Sequence, residues 1–327
     1  MKPSLPRISR AGSGAVSGVG SGAGRAALFA LLAAFLLFWP GHDAIGSEYP
    51  RRIVSLGPLN TENLYLLGAG DLLVADTVYC IRPQEAKGKE KIGTLTSVNM
   101  EKIVALRPDL VLATALTPEA QVAKLRAMGL KVVRFKRPDS FDAICDQLKD
   151  LARLLGLEER AEEIVAQARR QIRCINGAVS GRPKRRVLLQ VGANPVFAAV
   201  PGSFTHDYIR LGGGYNIAAD QDTGLIGMEK VIARDPEVII IAIMGSEGGL
   251  AEGEKRRWMR YRSISAVRMG RVHTVSPDLV CSPSPATFVE ALASIASIIH
   301  PEVAEEIRAC ISPVHHGPSH HLEGPGQ

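Results

Sequence analysis

Aromatic residues make up only 5% of the 327 residues, and there are only two tryptophans. A chain that fills its interior with Ala, Val, Ile and Leu instead of rings suits α/β packing, where buried parallel strands are rich in aliphatic side chains. The local signatures of several enzyme classes are missing as well. No P-loop, no HExxH and no nucleophile elbow in a Ser–His–Asp order occurs, so nothing local points to phosphoryl transfer, zinc proteolysis or hydrolase chemistry. The net charge of +6 is not gathered into a basic stripe with interleaved aromatics. Part of it lies at the termini and in short runs such as Lys184-Arg185-Arg186, which argues against a nucleic-acid partner. The glycine tract Gly18–Ala23 has no strand before it and no βαβ unit around it, so it fails as a dinucleotide fingerprint.

A membrane-spanning run is also lacking. Ala26–Trp39 is an unbroken apolar stretch of 14 residues, short of the roughly 20 that a spanning helix needs. Lys2, Arg7, Arg10 and Arg25 precede it as a long basic n-region, and the small residues Ala44, Gly46 and Ser47 follow. That pattern predicts a cleavable signal peptide over residues 1–46 and an exported, periplasmic protein, with an uncleaved anchor as the alternative. No Cys stands just after the apolar run, so a lipoprotein is not indicated. The five cysteines are an odd number, which leaves at least one thiol unpaired even where disulfides form. Cys145 and Cys174 fall within helical patterns and read as small buried apolar residues.

What the chain does have is a repeat. Residues 99–113, NMEKIVALRPDLVLA, recur as GMEKVIARDPEVIII over 227–241, so that Glu101 matches Glu229 and Pro108 matches Pro236 at an offset of 128. Asn99 or Gly227 serves as N-cap, the glutamate sits in the first turn where the helix dipole favours an anion, and Pro ends the short helix. The β-branched run that follows reads as a fully buried strand. A second pair, RRIVSLGPLNTE from 51 and RRVLLQVGANPVF from 185, recurs at nearly the same spacing. Two similar α/β lobes follow from this.

Between them lies a long helical pattern, Glu158–Ala178, with Ala161, Ile164, Val165, Ala168, Ile172 and Ile175 on one stripe. It predicts a stiff connector of about 30 Å at 1.5 Å per residue. The predicted order is an N-terminal lobe over 47–157, a connecting helix over 158–182 and a C-terminal lobe over 183–302. A tail over 303–327, where Pro, Gly and His come to dominate, is expected to be disordered. The first strand is predicted at Ile53–Leu56, followed by a turn through Thr61 and a helix over Glu62–Leu67. In the second lobe a charged helix is expected over Glu254–Tyr261 and a loop over Ser276–Pro285.

Taken together, SLGPLNTE, NMEKIVALRPDLVLA, VLLQVGANPVF and GMEKVIARDPEVIII resemble the periplasmic substrate-binding proteins of ABC importers for cobalamin, haem and ferric siderophores. The resemblance covers roughly residues 50–300. It implies two Rossmann-like lobes joined by one long α-helix, with a metal chelate held in the cleft between them. It also implies that one glutamate on each lobe docks onto arginines of the membrane permease, and those positions match Glu101 and Glu229. A monomer with no resident cofactor and no metal-ligating set is expected.

Open α/β sheets place ligands at the carboxyl ends of their strands. Candidate ligand contacts in the first lobe are therefore Pro58, Asn60, Tyr79, Cys80, Arg82, Leu95 and Thr96. In the second lobe they are Asn194, Phe197, Ser203, Phe204, Met244, Trp258, Asp278 and Cys281. Relative to the cobalamin-binding pattern, a first-lobe Trp is replaced near Leu95, which leaves a thin aromatic cradle of Tyr79, Phe197, Phe204 and Trp258. Arg82 is suited to carboxylates or catecholates of a more polar chelate. Cys80 and Cys281 read either as a cross-cleft pair (a disulfide or thiolate contacts to a metal centre) or as unrelated loop residues. A bare zinc or manganese site in a similar two-lobed shape is the alternative function, but His206, Asp278 and Glu62 are a meagre ligand set for it. An exported enzyme using the same cleft is the remaining class. Of the eight histidines, His315, His316, His320 and His321 lie in the tail, while His206 and His273 read as structural.

Overall fold

A computed structural model of the protein describes residues 49–244 and 249–311. The expected signal peptide over 1–46 and the tail beyond 311 lie outside the described residues.

The first lobe is a five-stranded parallel sheet: β1 (Ile53–Ser55), β2 (Leu73–Asp76), β3 (Glu90–Lys91), β4 (Leu110–Ala113) and β5 (Val132–Arg134), in the order β3-β2-β1-β4-β5. Its helices are α1 (Pro58–Leu66), α2 (Met100–Ala105) and α3 (Glu119–Ala127), followed by α4 (Phe141–Leu155). The predicted turn at 57–61 is in fact the first turn of α1. Pro58 occupies its N1 position, where the missing N–H is no loss and the fixed φ is already helical. A connector of 22 residues, α5 (Glu158–Val179), leads to the second lobe.

That lobe contains β6 (Arg186–Gly192), β7 (Phe197–Ala198), β8 (Tyr215–Asn216), β9 (Val238–Ile241) and β10 (Val272–Thr274). The sheet runs β10-β9-β6-β7, with β8 also pairing to β6 and only β7 antiparallel. Around it lie α6 (Phe204–Leu211), α7 (Met228–Arg234), α8 (Leu250–Trp258), α9 (Ser265–Arg268), α10 (Pro277–Cys281), α11 (Pro285–Ile299) and α12 (Ala304–Ala309).

The repeat in the sequence is a repeat in space. The parallel set β2-β1-β4-β5 of the first lobe has its counterpart in β8-β6-β9-β10 of the second. Finer details match as well. Arg107 and Asp235, each preceding its lobe's Pro, are two of the three non-glycine residues with positive φ among the described residues, at 46° and 41°. This conformation costs about 1–3 kcal/mol, and in both lobes the surrounding contacts hold it. Asp109 Oδ2 accepts the backbone N–H groups of Arg51 and Arg52 at 2.8 and 2.9 Å. Its equivalent, Glu237, accepts the Arg186 N–H at 2.9 Å. Arg52 and Arg186 then reach over to the carbonyls of Leu106 and Asp235, at the ends of α2 and α7.

Stiffness between the lobes comes from more than one helix. A continuous apolar core runs from Ile53 and Leu64, through α4 and α5, to Val187 and Ile240. At its centre Phe288 of α11 stacks on Tyr208 at 4.4 Å and lies 4.8 Å from Phe141. Prying the lobes apart would expose this surface at about 25 cal/mol per Å². The segment after 302 also differs from the expected disorder. Residues 304–309 form α12, Ile307 is fully buried, and Cys310 is joined to Cys174 on α5 by a disulfide. Cys174 is therefore a cross-link and not a passive core residue. The Pro- and His-rich composition begins only at Pro313, so it gave no reason to assign disorder from 303.

Candidate ligand cleft

The carboxyl ends of the parallel strands bring several predicted residues to one edge in each lobe. In the first lobe, Gly57 follows β1, Thr114 follows β4, and Leu95 lies in the loop after β3. A methyl group placed on Gly57 would come within 2.4 Å of Thr114 and 3.7 Å of Leu95, so the three share one corner. The loop after β2 exposes Val78, Tyr79 and Ile81, each 40–49% accessible. Leu116, after β4, is 62% accessible. In the second lobe Phe197 is cradled by glycines: Gly192 and Gly224 approach its side chain so closely that an added Cβ would meet it at 3.1 and 3.2 Å. Phe197 also bridges to exposed Leu225, and Met244 at the end of β9 is exposed too. Val78, Ile81, Leu116 and Leu225 were not anticipated, because an isolated aliphatic residue in a loop carries no sequence signal.

The other candidates are divided between the core and the surface. Trp258 is fully buried, and its indole N–H donates to Gln190 Oε1 at 2.7 Å. Gln190 in turn donates to buried Glu254 at 3.0 Å, so the ring belongs to the second lobe's core and presents no face to a ligand. Phe204 is 5% accessible and packs edge-on to Tyr208. Asn60 spends its amide on the carbonyls of Leu112 and Ala113, tying α1 to β4. Ser203 donates to the carbonyl of Val200 at the start of α6. Thr96 is exposed, and its carbonyl accepts from Gln121 at 2.6 Å. Pro58 is half-buried, while Asn194 and Asp278 are exposed.

Cys80 and Cys281 are both free thiols and form no cross-cleft disulfide. Cys80 is fully buried beside Thr77, and burial pushes its thiol above the ordinary range. Burial likewise pushes Cys281 up to about 12, with Asp278 adding to the rise and Arg137 opposing it. His206 is lowered by burial and sits 3.0 Å from the Asn216 amide, a structural setting. Among the described residues no group of three His, Cys, Asp or Glu side chains is placed to hold a metal ion.

Contacts between the two lobes include a buried polar knot. Glu62 of α1, 4% accessible, accepts from Ser284 Oγ at 2.5 Å and Thr287 Oγ1 at 2.7 Å, both from the second lobe. Its other oxygen lies 3.0 Å from Arg82 Nη2, which also donates to the Ser282 carbonyl at 3.1 Å.

Away from the cleft, Glu101 and Glu229 are both exposed in the first turns of α2 and α7. Neither has an ion-pair partner among the described residues. Beside Glu101 opens a groove of about 790 Å³, lined by Met100, Val104, Lys124 and Met128 among others.

A periplasmic binding protein family model matches residues 53–279. The chain belongs to that family. It is 30% identical over 273 residues to YvrC, an ABC transporter substrate-binding lipoprotein of Bacillus subtilis (strain 168), covering 81% of this chain and 84% of the relative. The vitamin B12-binding protein of Salmonella choleraesuis is 34% identical over 194 residues, covering 58% and 72%. Among solved structures, the periplasmic vitamin B12-binding protein BtuF of Vibrio cholerae aligns with a TM-score of 0.62 at 27% identity, over 80% of this chain and 98% of its own. A periplasmic heme-binding protein from Pseudomonas aeruginosa aligns with a TM-score of 0.67 at 26% identity, over 77% and 93%. Membership and architecture thus agree with the expectation of two Rossmann-like lobes around one connecting helix.

Proposed function

We propose that this protein captures a metal chelate in the interlobe cleft and delivers it to an ABC importer. The observation that carries this reading is the pairing of exposed apolar side chains at both strand edges. Tyr79 and Ile81 stand on one lobe, Phe197, Leu225 and Met244 on the other, and no metal-ligating cluster lies among the described residues. Such a cleft suits a ligand that brings its own metal wrapped in an organic shell, and disfavours a bare zinc or manganese ion. Vitamin B12 and heme, bound by the relatives, are both chelates of this kind. The role is binding, not catalysis.

Glu101 and Glu229 are the docking pair for the permease. Their bland role, complementing a helix dipole, is worth only about 0.3–1 kcal/mol each and leaves both carboxylates solvated and available. The protein works as an exported monomer released by cleavage near residue 46. The Cys174–Cys310 disulfide fits an oxidising compartment.

The test is a titration of the purified mature protein with cobalamin, cobinamide, haem and several ferric siderophores. It should follow the chelate's own absorbance, because Trp258 is locked in the core and its fluorescence would report poorly on the cleft. Submicromolar binding of one chelate is expected. Binding of none, together with stabilisation by zinc or manganese alone, would contradict the reading.

A further inference from the structure

The loop between β2 and β3 is built the wrong way round for stability alone. It exposes Val78, Tyr79 and Ile81, while its inner side closes over an ammonium and a carboxylate. Asp76, at the end of β2, is fully buried, and half-buried Lys91 of β3 places Nζ 2.6 Å from its Oδ1. The same Nζ donates to the carbonyls of Cys80 at 3.3 Å and Ala86 at 2.9 Å. An ammonium has three donors, so Lys91 spends one on the sheet and two on the loop. The two carbonyls flank Arg82, whose bond to the Ser282 carbonyl carries the loop across to the second lobe. Burying a charge pair where apolar side chains would pack is a poor way to stabilise a fold. Leaving large apolar side chains in water adds to that cost. Both features suit a loop shaped for a partner that covers its outer side. It stands at the carboxyl edge of the first sheet, where open α/β sheets bind ligands.

Taking chelate capture as given, we infer that Lys91 is a positioning residue for the cleft. By drawing the Cys80 and Ala86 carbonyls onto Asp76, it holds Val78, Tyr79 and Ile81 outward as a preformed apolar contact for the chelate's organic shell. Lys91 acts through the loop and not by touching the chelate. Its own backbone carbonyl accepts Lys102 Nζ of α2 at 2.8 Å, so the base of the tether is fixed from a second element. A contact formed in advance lowers the ordering cost of binding.

Removing Lys91 alone would strand the buried Asp76 carboxylate, so the test replaces both. Asp76→Leu combined with Lys91→Met deletes the tether and leaves no buried charge. Each purified protein is titrated with cobalamin, cobinamide and haem, and a thermal melt checks that the variants are folded. For the chelate that binds, the double variant is expected to bind about tenfold more weakly. Lys91→Arg, which keeps the cation and its donors, should retain most of the affinity. Lys91→Gln, which keeps an amide but loses the charge, is the milder second variant and should fall between them. Trypsin gives a readout that a merely structural tether would not couple to ligand. Cleavage after exposed Lys87, next to the Ala86 carbonyl and followed by mass spectrometry, should quicken in the double variant, and bound chelate should slow it again. Affinity unchanged in both the double variant and Lys91→Gln overturns the assignment and leaves chelate capture standing. Failure of all these chelates to bind the unmodified protein removes both.

Discussion

Cys174 on the connecting helix and Cys310 just after α12 are joined across 136 residues of chain. The bond encloses the whole second lobe, and it ties α12 to the helix that connects the two lobes. Closing so long a loop restricts the unfolded chain strongly, and bridges of this span contribute about 2–5 kcal/mol.

Reduction, or Cys174→Ser, is therefore expected to lower stability by that amount in a denaturant melt. Thiol counting checks the pairing independently. Alkylation of the denatured protein without reductant should label three cysteines, Cys80, Cys145 and Cys281, and five after reduction. Five labelled cysteines before reduction would contradict the bridge.

Charge reversal at Glu101 or Glu229 should bring uptake in cells to background while leaving chelate affinity unchanged. Both side chains are exposed and unpaired among the described residues, so the cost in stability should stay near or below about 1 kcal/mol. Loss of chelate binding in either variant would show that the residue acts through the cleft and not at the permease.

Asp76 gives a pH-dependent signature. It is fully buried at the end of β2, with Lys91 Nζ at 2.6 Å on one oxygen and no hydrogen bond on the other. Burial raises its pKa from 3.8 to about 6, while Lys91 and Lys89 oppose the rise. A carboxyl with a raised folded-state pKa stabilises the fold fully below about pH 3.8, and this contribution is lost as pH climbs towards 6. The loss is at most about 3 kcal/mol. Relative to Asp76→Asn, the unmodified protein should thus gain stability between pH 7 and pH 4, as followed by urea midpoints. A relative loss over that range would mean that Lys91 outweighs burial.

The parts of the fold legible in the sequence were those written twice. The helix–Pro–strand unit was visible because Glu101, Pro108, Glu229 and Pro236 recur in register, and it predicted two similar α/β lobes. Single-copy features were harder to see. Pro58 after Gly57 looks like a turn, yet proline at N1 is equally the start of a helix. Trp258 ends a charged helix and so reads as exposed, because nothing local reveals that Gln190 and Glu254, far away in sequence, form a buried polar socket for it. The partner of Cys174 was unreadable for the same reason, since disulfide connectivity is a property of the fold. The knot joining Glu62, Arg82 and Ser284 spans more than 220 residues and becomes visible only once the lobes meet.

The central claim is that a chelate sits between Phe197 and the loop of Tyr79. It is tested most directly by titrating the tightest-binding chelate against Phe197→Ala and Glu101→Arg side by side. The account predicts that Phe197→Ala weakens binding at least tenfold, a loss of about 1.4 kcal/mol or more, while Glu101→Arg binds as tightly as the unmodified protein. Unchanged affinity in Phe197→Ala would contradict it.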